Sequence, residues 1–285
     1  MANLKEIRNR IASVSSTMQI TSAMKMVSAA KLKKAQDAIT AMRPYSDKLT
    51  ELLQSLSASL DGDAGSKYAD NREVNKVLVV AITSNRGLCG AFNTNIIKQC
   101  SVLLETYNGK QVDFITVGKK ANDVLGKNNT ILSNHSNVYD DLTFDNVAVI
   151  AENLMQRFTE GEYDKIELVY NKFKNAATQI IMSEQFLPIV PVEGDTSGAA
   201  DYIFEPSKPE IVEQLIPRSL KTQLYKAIRD SFASEHGARM TAMHKATDNA
   251  TELRDQLKLT YNKARQAAIT NEILEIVGGA EALNN

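Results

Sequence analysis

The sequence predicts an α/β protein in which a long antiparallel coiled coil of the N- and C-terminal helices carries an inserted α/β domain. Helical apolar spacing runs from residue 4 to about 59 and again from 218 to about 283, while the middle of the chain alternates short apolar strands with amphipathic helices. At about 1.5 Å per residue the C-terminal helix would extend roughly 100 Å. We therefore expect both helices to need partners.

Composition indicates a folded protein from a reducing compartment. The 285 residues are 43% hydrophobic and 24% charged, which suffices for at least one core. Cys89 and Cys100 are too few for a disulfide framework and lack metal-binding spacing. No apolar run reaches the roughly 18 residues that cross a bilayer. A removable mitochondrial presequence is the alternative interpretation of the basic start, but the helical periodicity continues well beyond it.

The N-terminal helix combines an apolar stripe with excess positive charge. Thr21, Lys25 and Ser28 interrupt the stripe, and we expect Pro44 to kink the helix rather than end it, the end following at 61–65. Basic residues outnumber acidic ones nine to three among the first fifty, which leaves nucleic acid, anionic lipid, an acidic protein or a plain solvated face open. The stripe has the three-four spacing of a coiled-coil seam and consists of Leu4, Ile7, Ile11, Val14, Met18, Leu32, Ala35, Ile39 and Met42.

The central part of the chain, from 74 to about 192, has the pattern of a layered α/β domain. The β-branched run at 77–82 is typical of a buried parallel strand. Helices are predicted near 94–107 and 145–159, and further strands at 112–117, 166–170 and 178–186, the last at a sheet edge.

The C-terminal region predicts a short helix and then a long one. Ser207 and Glu210 form a capping box, and we expect Pro217 to break the short helix before the long one begins. Residues 264–283 are apolar and poor in charge, so another molecule, or a second copy of the chain, should cover them. The domain division is 1–60, 70–206 and 207–285. The long helix has its small and apolar positions at Leu224, Ile228, Phe232, Met240, Met243, Ala250, Leu253, Leu257, Tyr261, Ala264 and Ala268.

The loop at 84–93 lies where a nucleotide-binding loop would lie, between the first strand and the next helix. A helix N-terminus at this place can receive a phosphate. The loop lacks the GxGxxG spacing, however, and no Gly-Lys-Ser/Thr follows. A tight structural turn is the favoured interpretation, with phosphate binding as the alternative.

No catalytic or metal-binding pattern is recognisable. His135, His236 and His244 have no companions at metal-ligand spacing, so we expect surface histidines. The sequence also shows neither a Gly-x-Ser-x-Gly elbow nor a Cys/His pair on adjacent elements. We therefore expect no catalytic residue, no metal and no cofactor.

Four segments closely resemble the gamma subunit of F-type ATP synthases of the bacterial type. The resemblance runs along essentially the whole chain, and its C-terminal part is highly specific to that family. The segments are 4–36, with Ile-Thr-Ser-Ala-Met-Lys-Met-Val-Ser-Ala-Ala-Lys-Leu at 20–32, the loop at 84–93, and the helical stretches 235–249 and 261–282.

The resemblance implies a non-catalytic rotor shaft. In that family the terminal helices form the coiled coil inside a hexamer of alternating alpha and beta subunits, and a Rossmann-like domain forms the foot. The implied function is to transmit torque between proton flow through the membrane c-ring and the catalytic sites, which couples proton transport to ATP synthesis or hydrolysis. The implied location is the cytoplasmic face of the bacterial inner membrane, as a peripheral part of the complex.

The resemblance also implies contact residues on the shaft. Met24 and Lys25 would lie against an acidic loop of beta. Arg265, Gln266 and Thr270 would contact the loops that hold the shaft.

The foot has its own implied contacts. Tyr202 and Glu205 match the region that in this family contacts the c-ring and the epsilon subunit. The stretch 193–201 is short and without cysteine, so redox control of the plant type is not expected. The Met1 start without a transit peptide resembles a bacterial protein.

Two other classes of function remain as alternatives. A nucleotide-dependent enzyme would use the α/β domain and would bind ATP or NAD at millimolar concentration. A basic coiled coil on nucleic acid would show binding that falls steeply with salt. The net charge of −1 argues against a general polyanion binder, and we expect neither nucleic acid nor a small-molecule substrate as a partner.

Overall fold

The computed structural model describes residues 4–57, 66–70, 72–189 and 208–283. Its helices and strands alternate through the middle of the chain, as the α/β prediction requires. In chain order the elements are α1 (Leu4–Ser57), α2 (Ser66–Ala69), β1 (Lys76–Ile82), α3 (Phe92–Thr106), β2 (Gln111–Val117), α4 (Lys119–Leu125), β3 (Ile131–Asn134), a 3-10 turn (Ser136–Tyr139), α5 (Phe144–Thr159), β4 (Lys165–Phe173), β5 (Gln179–Leu187) and α6 (Lys208–Leu283).

The five strands form one sheet in the order β3-β2-β1-β4-β5. β1 lies in the centre and pairs in parallel with β2 and β4, so that Val80 is opposite Ile115 on one side and Leu168 on the other. β5 lies at the sheet edge, as predicted, and pairs antiparallel with β4. Because neighbours cover both faces of β1, six of its seven residues are buried, and this explains its unbroken apolar sequence.

The sheet has a hydrophobic core on each face. Alternate residues of β1 contribute to opposite cores, since successive side chains of a strand point to opposite faces. One core holds Val77, Val79 and Ala81 with residues of α3 and α4. The other holds Leu78, Val80 and Ile82 with residues of α5 and with the α6 residues Ile216, Leu220, Leu224, Ala227 and Ile228.

The predicted break at Pro217 is wrong. α6 runs without interruption from Lys208 through Pro217 to Leu283. A proline inside a helix costs about 3 kcal/mol, but Ile216 and Leu220 on either side are buried in the sheet core, and burying two such side chains contributes about 2 kcal/mol each. α1 likewise continues past Pro44, as predicted.

Short polar elements escaped the sequence analysis. The strand β3, the helices α2 and α4 and the 3-10 turn each span seven residues or fewer, which is too short for a periodic apolar pattern. The predicted helix end at 61–65 and Ser207 of the capping box lie outside the described residues.

The chain divides into two compact units. The helical unit consists of Met1–Ser28 and Met240–Asn285, and the sheet unit consists of Ala29–Arg239. Both long helices contribute residues to both units. The predicted division into 1–60, 70–206 and 207–285 stays a prediction, because residues 60, 206 and 207 lie outside the described ranges.

Candidate partner-binding surface

The helical unit contains a seam between segments of α1 and α6. Its positions recur every three or four residues, which is the spacing that keeps one stripe of a helix against a partner helix. The buried or half-buried seam positions are Leu4, Ile7, Ile11, Val14, Met18, Thr21, Lys25 and Ser28 on α1, and Met243, Thr247, Ala250, Arg254, Leu257, Tyr261, Ala264 and Ala268 on α6.

Polar contacts across the seam show that the two segments run antiparallel. Near the start of α1, Arg8 Nη2 donates to Tyr261 Oη over 2.7 Å. Further along α1, the hydroxyls of Thr21 and Thr247 are hydrogen-bonded at 2.8 Å. The earlier residue of α1 therefore meets the later residue of α6, and the predicted antiparallel coiled coil is confirmed.

One predicted seam residue is misplaced. Leu253 is 41% exposed, while the adjacent Arg254 is half-buried, with its Nη1 3.4 Å from the sulfur of Met18. An arginine can bury its aliphatic stem while its charged end reaches the edge of the seam. The prediction from apolar character therefore placed Leu253 in the seam, whereas the adjacent Arg254 lies there.

The end of α6 presents an apolar surface that nothing in the described part of the helical unit covers. All residues from Ile269 to Ala280 are exposed. The seam spacing would continue at Asn271, Glu275 and Gly278, none of which is apolar. The exposed apolar side chains are instead Ile269, Ile273, Leu274, Ile276 and Val277.

This apolar stripe faces a different direction from the seam. Ile269 and Ile276 each follow a seam position by one residue, and one residue is a rotation of about 100° around a helix. Pairing of the kind made with α1 would therefore not cover the stripe. A large exposed apolar patch marks an interaction site, and this one fits the prediction that another molecule covers the end of α6.

The predicted shaft contacts fall into two groups on the helical unit. Met24 and Lys25 are half-buried on α1, and Lys25 Nζ lies 3.5 Å from His244 Nδ1. Arg265 and Gln266 are exposed on α6, as is Thr270, whose hydroxyl donates to the Gln266 carbonyl over 2.9 Å.

The structure does not bring these two groups together. About twenty residues separate the α6 position opposite Lys25 from Arg265, which corresponds to roughly 30 Å along a helix. The predicted foot contacts Tyr202 and Glu205 lie outside the described residues.

The sheet unit contains the place where an α/β fold usually binds ligands. This is the carboxyl end of the central strand β1, where the chain leaves β1 toward β2 on one side while β4, the neighbour of β1 on the other side, leads on to β5. Side chains hold the loop at 84–93 here: Ser84 Oγ donates to the Arg86 carbonyl over 2.6 Å, and Asn93 Oδ1 accepts from the Ser84 N–H over 3.0 Å. Asn93 Nδ2 also lies 3.2 Å from the sulfur of the buried Cys89.

Arg239 of α6, which belongs to the sheet unit like the loop, hydrogen-bonds to the loop. Its Nη2 donates to the carbonyls of Arg86 and Gly87 over 3.0 and 3.2 Å, and its Nη1 lies 2.5 Å from Glu235 Oε1. The side chains of Arg239 and Glu235 are only 9% and 10% exposed. Burial raises the pKa of the Glu235 carboxyl, against the opposing charge of Arg239. The loop thus presents carbonyl oxygens to a buried guanidinium, an arrangement that favours the structural-turn interpretation over phosphate binding.

Glu235 and Arg239 were not predicted to have a role. The available signal was their separation of four residues, which places opposite charges on one side of a helix. The small residues Ala233, Ser234 and Gly237 around them indicated close packing, and the added Cβ of an alanine at Gly237 would lie 3.2 Å from the Ala176 backbone.

The expectation that all three histidines lie on the surface is wrong for His236. The residue is 5% exposed, and neither ring nitrogen has a hydrogen-bond partner. The ring packs edge-on against that of Phe232, with 4.5 Å between the ring centroids. Burial, with smaller contributions from Arg239 and Lys31, lowers its pKa to about 4. His244 is exposed, as expected, and His135 is half-buried.

Two further properties concern metals and membranes. Among the described residues, no group of three or more His, Cys, Asp or Glu side chains is placed to hold a metal ion. Within the same ranges, no helix contains an apolar stretch long enough to span a bilayer.

Solved structures with a similar fold are chains of mitochondrial ATP synthases. A chain from the Euglena gracilis structure of OSCP, F1 and c-ring matches with a TM-score of 0.70 and 24% identity over 98% of this chain and 94% of that chain. A chain from the Tetrahymena thermophila central stalk and c-ring matches with a TM-score of 0.59 and 26% identity over 80% of this chain and 99% of that chain. The fold is therefore one found in rotary ATP synthases.

Sequence comparison is more specific. A family model described as ATP synthase matches residues 3–283. The ATP synthase gamma chains of Flavobacterium psychrophilum and Flavobacterium johnsoniae are 75% and 74% identical, over 99% and 100% of both chains respectively. That of Geobacter sp. (strain M21) is 43% identical over 99% of both chains. The chain belongs to the ATP synthase gamma-chain family, and the resemblance drawn from the sequence is confirmed.

Proposed function

We propose that this chain is the rotating shaft of an F-type ATP synthase and transmits torque between proton flow through the membrane c-ring and the catalytic sites of an alpha-beta hexamer. It thereby couples proton transport to ATP synthesis or hydrolysis and catalyses neither itself. Its partners are the alpha, beta and epsilon subunits and the c-ring. Its location is the cytoplasmic face of the bacterial inner membrane, where it is peripheral.

The observation that carries this proposal is the uncovered apolar stripe on the end of α6. A two-stranded coil whose end shows Ile269, Ile273 and Ile276 to solvent has a surface for a surrounding partner. The names of the relatives supply the kind of assembly in which such a coil is found.

In this proposal, coupling arises because the shaft interacts with different conformations of a beta subunit with different free energies. A shaft can shift a beta subunit between conformations only if it contacts those conformations unequally. The helical unit has unequal sides, since one side of α6 is apolar near its end and α1 is basic. We propose that Met24 and Lys25 contact an acidic loop of beta, and that Arg265, Gln266 and Thr270 contact loops that hold the shaft. Tyr202 and Glu205 are proposed to contact the c-ring and epsilon.

The substitution Met24→Lys tests the proposed contact with beta. A second ammonium beside Lys25 would form an additional ion pair with an acidic loop and hold the shaft at one angle. We expect ATP-driven proton pumping to fall at least several-fold while ATP hydrolysis and assembly of the complex change less. The measurement compares ATPase rate and acidification in membrane vesicles that carry the reconstituted complex.

Met26→Lys is the matched control. Met26 lies two residues away on the same helix and is 64% exposed, on a different side from Met24. We expect a smaller loss of pumping per ATP hydrolysed in this variant. An equal loss of pumping, hydrolysis and assembly in Met24→Lys would contradict the assignment.

The competing nucleotide-enzyme hypothesis has weaker support. The loop on which it would place the nucleotide is hydrogen-bonded, through the carbonyls of Arg86 and Gly87, to the buried Arg239 guanidinium.

A further inference from the structure

One nitrogen of His244 lies between two side chains of opposite charge. Nδ1 of His244 is 3.5 Å from Lys25 Nζ across the seam and 3.4 Å from Asp248 Oδ2 one turn along α6. The His244 and Asp248 side chains are 57% and 64% exposed, while Lys25 is half-buried. In the described part of the helical unit, Lys25 from α1 and Asp248 from α6 are the charged groups within hydrogen-bond or ion-pair distance of the ring.

Nδ1 of His244 cannot hydrogen-bond to Lys25 and to Asp248 at the same time. An unprotonated Nδ1 offers a lone pair and accepts from the ammonium of Lys25, whereas a protonated Nδ1 donates to the carboxylate of Asp248. Histidine is also the side chain whose charge ordinarily changes between pH 5 and 8. Protonation would therefore replace an attraction to Lys25 by a repulsion and create an ion pair within α6.

We propose that His244 is a pH-dependent switch that holds Lys25 across the seam when neutral and releases it when protonated. In the neutral ring that carries its proton on Nε2, Nδ1 accepts from the Lys25 ammonium across the seam. In the protonated state His244 pairs with Asp248, and Lys25 is free to bind an acidic partner surface. That last consequence rests on the proposed contact of Lys25 with beta, but the exchange at Nδ1 does not.

A histidine titration of the free full-length chain tests the exchange. The chain has three histidines, so the ring proton signals can be followed by NMR and assigned with His244→Gln. Lys25→Met should move the titration midpoint of His244 to higher pH, because it removes a positive charge next to the ring. Asp248→Asn should move the midpoint by a similar amount to lower pH.

Lys245→Met is the control for the loss of a positive charge. Lys245 is exposed and immediately follows His244 on α6, and adjacent helical residues do not face each other. We expect less than half the displacement produced by Lys25→Met. An unmoved midpoint in Lys25→Met, or equal movements in Lys25→Met and Lys245→Met, would overturn the switch.

The consequence for the complex is measured separately. In the reconstituted complex, the ratio of protons pumped to ATP hydrolysed should change between pH 7.5 and 5.5, and His244→Gln should remove at least half of that change. A normal NMR result with an unchanged pH profile would overturn the link between the switch and beta. Failure of the Met24→Lys experiment would instead overturn the proposed shaft contact and leave the NMR result unaffected.

Discussion

Gly118 fixes the connection between β2 and α4 through its backbone conformation. Its φ of +108° lies where residues with a side chain are strained, and an added Cβ would lie 2.2 Å from the Thr83 carbonyl oxygen. The close approach brings α4 against the end of β1, where the Thr83 hydroxyl accepts from the Ala121 N–H over 2.9 Å. One glycine therefore positions the helix beside the loop that Arg239 caps.

We expect Gly118→Ala to lower the free energy of unfolding by about 3 kcal/mol or more, because backbone strain and a backbone clash add together. Gly109→Ala is the matched control, since Gly109 has a φ of +84° but no atom within 4 Å of an added Cβ. Strain alone costs about 1 to 2 kcal/mol there. Urea unfolding of the two variants makes the comparison, and equal losses would contradict the close approach at Gly118.

His236 makes stability depend on pH. Because burial lowers its pKa to about 4 while an unfolded histidine titrates near 6.5, the unfolded chain binds the proton more readily. The free energy of unfolding should therefore fall as the pH drops through 6.5, and the contribution of this residue should reach about 3 kcal/mol at pH 4.

His236→Phe should remove this part of the pH dependence, since phenylalanine fills similar space without an ionisable group. Urea unfolding at pH 7 and pH 4.5 measures the effect, and His244→Gln at an exposed position should retain most of the wild-type slope. A slope in His236→Phe that equals the wild-type slope would show that other groups cause it.

At the scale of elements, patterns of burial decided what could be predicted. β1 was predictable because both of its faces are covered and its sequence is continuously apolar. α6 was predicted to begin after Pro217, since local backbone chemistry favours a break there, but burial of Ile216 and Leu220 outweighs it. A tertiary contribution of this kind does not appear in the local sequence.

The candidate partner-binding surface was, like the fold, only partly predictable from the sequence. The seam and the apolar end of α6 follow from spacing and composition. The choice of Arg254 over Leu253, and the cross-seam contact of Lys25 with His244, depend on the register between α1 and α6. The apolar spacing of the two helices alone does not fix that register.

The cap formed by Glu235 and Arg239 ties α6 to the loop after β1. We expect Arg239→Met to lower the free energy of unfolding by about 3 to 5 kcal/mol, because it leaves the buried Glu235 carboxyl and two loop carbonyls without their partner. The double variant Arg239→Met with Glu235→Gln should lose less, since no charge then stays buried alone. Chemical denaturation compares them, and a larger loss in the double variant would contradict the cap.

At the scale of the whole chain, the helical unit and the sheet unit have different surfaces. The sheet unit contains two hydrophobic cores of its own. The helical unit buries one stripe in its seam and exposes another near the end of α6. The sheet unit, with its own cores, fits the proposed foot of a larger assembly. The helical unit, with its exposed apolar stripe, fits the proposed shaft.

Rotation of the chain inside an immobilised alpha-beta hexamer tests this account most directly. A bead attached through Lys127→Cys would report on the sheet unit, because Lys127 is exposed there while the natural Cys89 and Cys100 are buried. We expect the bead to rotate in one direction when ATP is added and to stop when ATP is removed. Full ATP hydrolysis by the same complexes with a stationary bead would contradict the account.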